Sequence, residues 1–132
     1  MNHLKRQIRG LSSGLVTEFI LGVMLASVAS SDETAKQQST LHNVTLGLHM
    51  LVGLALVIGS IVLAVMARQY PAIRTKLISG SVAIIVAFAA GMSVVTFDSS
   101  WGVLVMGLGF IVALWLLNSA VLTASQEPSP KL

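Results

Sequence analysis

The chain contains no cysteine, which excludes disulfides, zinc–thiolate sites, iron–sulfur clusters and thioether-linked haem. Charge is almost as scarce: Asp, Glu, Lys and Arg make up 10% of the 132 residues, against about 25% in an ordinary soluble domain. Proline occurs three times, and Pro128 and Pro130 fall at the C-terminal end, so one proline is left to interrupt the body of the chain. The motifs of common enzymes are missing as well. The sequence has no H-E-x-x-H and no phosphate-cradling or dinucleotide-binding glycine pattern. It also lacks a Ser/His/acid set at one depth, so hydrolytic or nucleophilic catalysis has no support and the chain reads as a non-enzyme.

What fills the chain instead is apolar. Hydrophobic residues make up 55% of it, and the mean hydropathy is +0.86. Four long runs, at 11–30, 41–67, 77–97 and 101–124, contain a single formally charged side chain, Glu18. An uncharged run of about 20 residues is what an α-helix needs to cross the hydrocarbon core of a bilayer. The expected fold is therefore all-α: an integral membrane four-helix bundle, with residues 1–132 forming one transmembrane domain and 126–132 a disordered tail. Short connections at 31–40, 68–76 and 98–100 make successive helices antiparallel, giving up-down-up-down topology. Helix-start chemistry at Ser39 or Thr40 opens the second span. Pro71 ends that span, and Trp101 and Tyr70 suit the membrane–water interface.

The isoelectric point near 9.8 does not imply nucleic acid, because the basic residues flank the spans instead of clustering on a soluble face. Lys5, Arg6, Arg9, Arg68, Arg74, Lys76 and Lys131 all fall in the N-terminus, the second connection and the C-terminus, while Lys36 alone lies in the first connection. Lys and Arg beside a span hold that segment in the cytoplasm. The expected location is the cytoplasmic membrane, multi-pass, with both termini cytoplasmic. The first run, ending in Ser27-Val28-Ala29, has the outline of a signal peptide. Its length and the Glu18 in its middle favour retention as a span.

Helices in lipid associate through close packing of small residues and through interhelical hydrogen bonds. Small or polar residues recur at helical spacing in each run: Gly10, Gly14, Gly22, Ala26 and Ser30 around Glu18; His42, Thr45, His49, Gly53 and Ser60; Ser79, Ala83, Ala87 and Gly91; Gly102, Gly109, Ala113 and Ala120. Each stripe is expected to turn inward.

Two polar layers follow from helical rise. Glu18 and Ser60 come out about 10 Å from the cytoplasmic end of their runs and Asn118 about 9 Å, so a carboxyl, a hydroxyl and an amide are expected to meet. A carboxyl inside hydrocarbon calls for a partner or a function. The first reading of this cluster is hydrogen-bonded glue between helices; the second is a proton-binding or substrate-contacting acid, with no other acid or base at that depth. The outer layer holds His42 and His49 on one helix face, with Met24, Met92 and Met106 at similar depth. Imidazole and thioether ligate haem iron or Cu(I). His42 and His49 are about 10 Å apart along the helix and point the same way, so they cannot be opposite axial ligands of one iron.

The stretches T-E-F-I-L-G-V-M at 17–24, L-H-N-V-T-L-G-L-H-M-L-V-G at 41–53, A-A-G-M-S at 89–93 and the S-x6-M-G-L-G-F run at 99–110 resemble a group of small bacterial four-span membrane proteins of unassigned function. That resemblance implies a four-helix membrane fold and transfers no activity. The L-H-x-x-x-L-G texture of the second run (Leu41–Gly47) is also similar to helices of b-type cytochromes and haem A synthase, although the fourth run lacks the histidine such a site needs. The expected role is a small accessory or assembly subunit, without cofactor, in contact with the lipid bilayer and with a second copy or a larger membrane complex. The alternatives are a haem b- or copper-binding redox protein using His49 with His42 or Met92, and a proton-coupled carrier using Glu18.

Overall fold

The computed structural model describes residues 2–29, 35–97 and 100–126. They form four long helices and no strand: α1 (Asn2–Ala29), α2 (Ala35–Met66), α3 (Arg74–Phe97) and α4 (Ser100–Gln126), with one turn of 3-10 helix at Ala67–Gln69. All four are long and apolar enough to cross a membrane, over His3–Leu25, Thr40–Gln69, Arg74–Phe97 and Trp101–Ser125.

Two helices begin earlier than hydropathy suggests. α1 starts at Asn2 rather than near residue 11, because Leu4, Ile8, Leu11 and Leu15 form a continuous buried stripe at helical spacing. The intervening Lys5, Arg6 and Arg9 hold their charges at the periphery on apolar stems. α2 starts at Ala35 rather than at Ser39 or Thr40, since Ala35, Lys36, Gln37 and Gln38 are all strong helix formers. The turn after α2 matches expectation. Tyr70 adopts φ −129°, ψ 75°, outside the α region that Pro71 disfavours for the residue before it, and Tyr70 N donates to Ala67 O at 3.1 Å. Tyr70, directly after the second candidate span, packs against the core. Residue 126 closes α4, and the expected tail beyond it lies outside the described residues.

One end of the bundle is basic and solidly packed. Lys5 Nζ donates to Ser125 Oγ at 3.3 Å, and Lys76 Nζ to Thr123 Oγ1 at 2.7 Å. Leu4, Ile8, Leu63, Leu77, Leu117 and Ala120 fill the space between the helices there, each fully buried. The outward faces carry Phe19, Leu51, Ile58, Ile111, Trp115 and Leu122, all more than half exposed. Surfaces of that extent would aggregate in water and are at home in lipid.

Small residues set the helix spacing. A Cβ on Gly14 of α1 would lie 2.8 Å from Leu56 Cδ2, and one on Gly59 of α2 would lie 2.9 Å from Leu11 Cδ2. Each helix thus receives a leucine from the other. α3 and α4 come closer still: a Cβ on Gly109 would lie 2.8 Å from Ala87 Cβ and 3.2 Å from the Ala83 carbonyl oxygen. A Cβ on Gly102 would meet Ala90 O at 2.7 Å. The inward stripe expected for α1 is only partly used, because Gly10 is exposed with open space around it. α3 turns Gly80, Ser81, Ile84 and Ala87 inward and leaves Ser79 exposed.

Candidate functional site

The solid core stops at Leu56 and Ile84. Beyond them, toward the end opposite the basic residues, the four helices line a partly open cavity of about 260 Å³. Its wall is almost wholly apolar, including Phe88, Val95, Val103 and Phe110, and its polar side chains are Glu18, His42 and His49. Small residues create the space: Gly22 from α1, Gly53 from α2 and Gly91 from α3 line it.

Glu18 Oε1 lies 3.1 Å from His49 Nδ1, and both side chains are largely shielded, at 4% and 15% exposure. The approach is close but misaligned for a hydrogen bond. Glu18 Oε2 and His49 Nδ1 are buried with no hydrogen-bonding partner among the described residues. Glycine makes the approach possible on the α2 side, whereas on the α1 side a Cβ would make only an ordinary contact. A Cβ on Gly53 would sit 2.9 Å from Glu18 Oε1, and one on Gly22 would sit 3.5 Å from His49 Cε1. Phe88 packs against the same place, 3.0 Å from the position of a Gly53 Cβ.

The expected Glu18–Ser60–Asn118 cluster does not form. Asn118 is exposed and its Nδ2 donates to Leu114 O of its own helix at 2.9 Å. Ser60 is fully buried, and its hydroxyl donates to Val57 O at 2.8 Å. The reason is the true start of α1. Counted from Asn2, Glu18 stands about 24 Å up its helix, level with His49 at about 26 Å above the end of α2. On the same scale Ser60 lies at about 9 Å and Asn118 at about 12 Å, two turns or more below the carboxyl. A base therefore does stand at the depth of Glu18.

The polar joint that Ser60 does make was not legible in the sequence. The Ser81 hydroxyl of α3 lies 2.9 Å from both Ser60 O and Leu77 O and donates to the two as a shared bond. It ties α3 to α2 through a backbone carbonyl, which carries no residue-type signal.

Of the candidate haem or copper ligands, His42, His49, Met92 and Met106 all line the cavity. Met24 does not: it is 49% exposed on the outer face of α1, since it falls between the inward positions occupied by Leu21 and Leu25. Met106 bends toward α3, where a Cβ on Gly91 would lie 3.0 Å from its sulfur. No cluster of three or more His, Asp and Glu able to hold a metal occurs among the described residues, so any metal would depend on the thioethers.

No family model matches this chain, and neither a curated protein nor a solved structure matches it.

Proposed function

We propose that this chain is a small multi-pass component of the cytoplasmic membrane, folded up-down-up-down with both termini on the cytoplasmic side, whose working site is the Glu18–His49 pair. Its ligand is a small lipophilic molecule carrying one hydrogen-bonding polar group. One observation carries this reading: a buried carboxyl oxygen and a buried imidazole nitrogen stand without partners at an apolar cavity formed by all four helices. A buried polar atom left unsatisfied costs about 1–3 kcal/mol. A molecule whose head supplies the missing donor and acceptor recovers that cost, while its body replaces void with contacts along Phe88, Val95 and Phe110.

The cavity lies just below the roughly 300–1,000 Å³ typical of ligand pockets, which suits a single ring or short chain better than a porphyrin. The role as an accessory subunit is compatible with this site, because the exposed faces of the helices are free for lipid or a partner. The same pair is where a proton-coupled carrier would hold its proton.

A purified sample in neutral detergent tests the ligand reading with 4-hexylphenol and hexylbenzene, which differ only in the hydroxyl. The phenol is expected to raise the unfolding midpoint more than the hydrocarbon does, with the difference lost in Glu18→Leu and His49→Leu. Equal shifts for the two probes, or a phenol effect that survives both substitutions, would overturn it.

A second reading is supported by the placement of Glu18. A carboxylate beside one ring nitrogen is how metal-ligating histidines are commonly oriented, which leaves His49 Nε2 as a ligand for Cu(I) with Met92 and Met106. Bound copper that is lost in His49→Ala would favour it; a protein that stays copper-free after incubation with Cu(I) would end it.

A further inference from the structure

A second concavity, independent of the Glu18–His49 site, opens on the lipid-facing side between α2 and α3 near the basic end. Its walls are Ile61, Val65, Ile78, Val82 and Ile85, and its rim carries Arg68 and Arg74. The volume is about 290 Å³. From Arg74 to Ile85 the groove follows α3 for about 16 Å, over half the thickness of one bilayer's hydrocarbon core.

The two arginines differ from the lysines at the same end of the bundle. Lys5 and Lys76 already donate to hydroxyls of α4. Arg68 and Arg74 are exposed and have no hydrogen bond or ion pair within the described structure. Glu18 is the only acid among the described residues, and it stands about 24 Å up α1, so no described carboxylate competes for these guanidiniums. An apolar trough therefore runs along the membrane interior and ends at two unneutralised planar cations where the headgroups lie.

We propose that this groove is a binding site for an anionic glycerophospholipid, with an acyl chain along Ile61, Val65, Val82 and Ile85 and the phosphate held between Arg68 and Arg74. Guanidinium matches phosphate geometry through paired N–H donors, and basic pockets between membrane helices on the cytoplasmic side select anionic headgroups. Charge complementarity decides the occupant. A neutral chain or a copy of this basic protein would leave both cations unmatched.

The test uses the full chain in neutral maltoside micelles, titrated with phosphatidylglycerol, phosphatidylcholine of the same acyl chains, or inorganic phosphate. Unfolding midpoint and lipid retention in native mass spectrometry are the readouts. Phosphatidylglycerol is expected to raise the midpoint by several degrees and to stay bound. The double substitution Arg68→Gln/Arg74→Gln should weaken that binding at least tenfold, whereas Arg6→Gln/Arg9→Gln, which removes the same charge from α1, should preserve it. Val82→Trp, which fills the trough without touching a charge, should also weaken it. Three results would overturn the proposal: an equal effect of phosphatidylcholine, an equal effect of inorganic phosphate, or equal losses in the two arginine pairs.

Discussion

Gly53 of α2 faces the carboxyl of Glu18 so closely that a methyl group in its place would lie 2.9 Å from Oε1. The glycine is what allows an acid on one helix to reach His49 on the next, one turn away from Gly53 on the same face. Gly53→Ala should therefore displace the carboxyl and abolish the phenol-dependent stabilisation while leaving the helices intact by circular dichroism. Gly47→Ala is the control, because nothing lies within 4 Å of a Cβ there; its effect should stay within about 0.5 kcal/mol. Equal effects of the two would mean that Gly53 is not positioning the acid.

The Glu18–His49 contact at 3.1 Å predicts energetic coupling. In a double-mutant cycle with Glu18→Gln and His49→Leu, followed by reversible unfolding in detergent, the interaction term should fall within about 0.5–3 kcal/mol, the range for residues in contact. A cycle that closes to within experimental error would separate the two residues. Glu18→Gln with Asn118→Leu should show no coupling, because those side chains lie on different levels and Asn118 bonds only its own helix.

Close packing of α3 on α4 predicts that Gly109→Ala is costly. The new methyl would press on Ala87 Cβ at 2.8 Å and on the Ala83 carbonyl, neither of which is the flexible end of a side chain. Overpacking of this kind costs about 1–3 kcal/mol, read as a lowered unfolding midpoint. Gly107→Ala, on the same helix with open space around it, should be silent.

Ser81→Ala removes the hydroxyl that reaches Ser60 O and should destabilise the protein by about 0.6 kcal/mol, the average for a hydrogen bond between membrane helices. Ser79→Ala, on the exposed face of the same helix, should change little. An equal loss at both positions would point to helix propensity instead of the α2–α3 joint.

The distribution of Lys and Arg predicts orientation. A C-terminal reporter active only outside the cytoplasm should stay silent, and the same reporter fused within the first connection should be active. The reverse pattern would invert the proposed topology.

Parts of the site could be read before folding was considered. His42, His49, Met92 and Met106 were recognisable as a polar and thioether layer, because residue type and helical rise place them near one depth, and they do line one cavity. Glu18 was conspicuous as the lone charge in the apolar runs. Its partner was not legible, because depth was counted from the onset of hydrophobicity and α1 begins nine residues earlier. Met24 failed for a different reason: its depth was plausible, but rotation about the helix axis turns it outward; Asn118 fails on both counts, standing on another level and facing outward. The inward rotation depends on which neighbours a helix packs against.

Composition alone determined that this chain makes long helices suited to lipid, since an apolar run must satisfy its own backbone hydrogen bonds wherever water is excluded. It also determined where the positive charge accumulates, because that property is additive along the chain. Tertiary structure decided which acid meets which base, where the bundle closes and where it stays hollow. Those outcomes depend on helix start, rotation and the fit of leucines over glycines, which exist only once two surfaces are in contact.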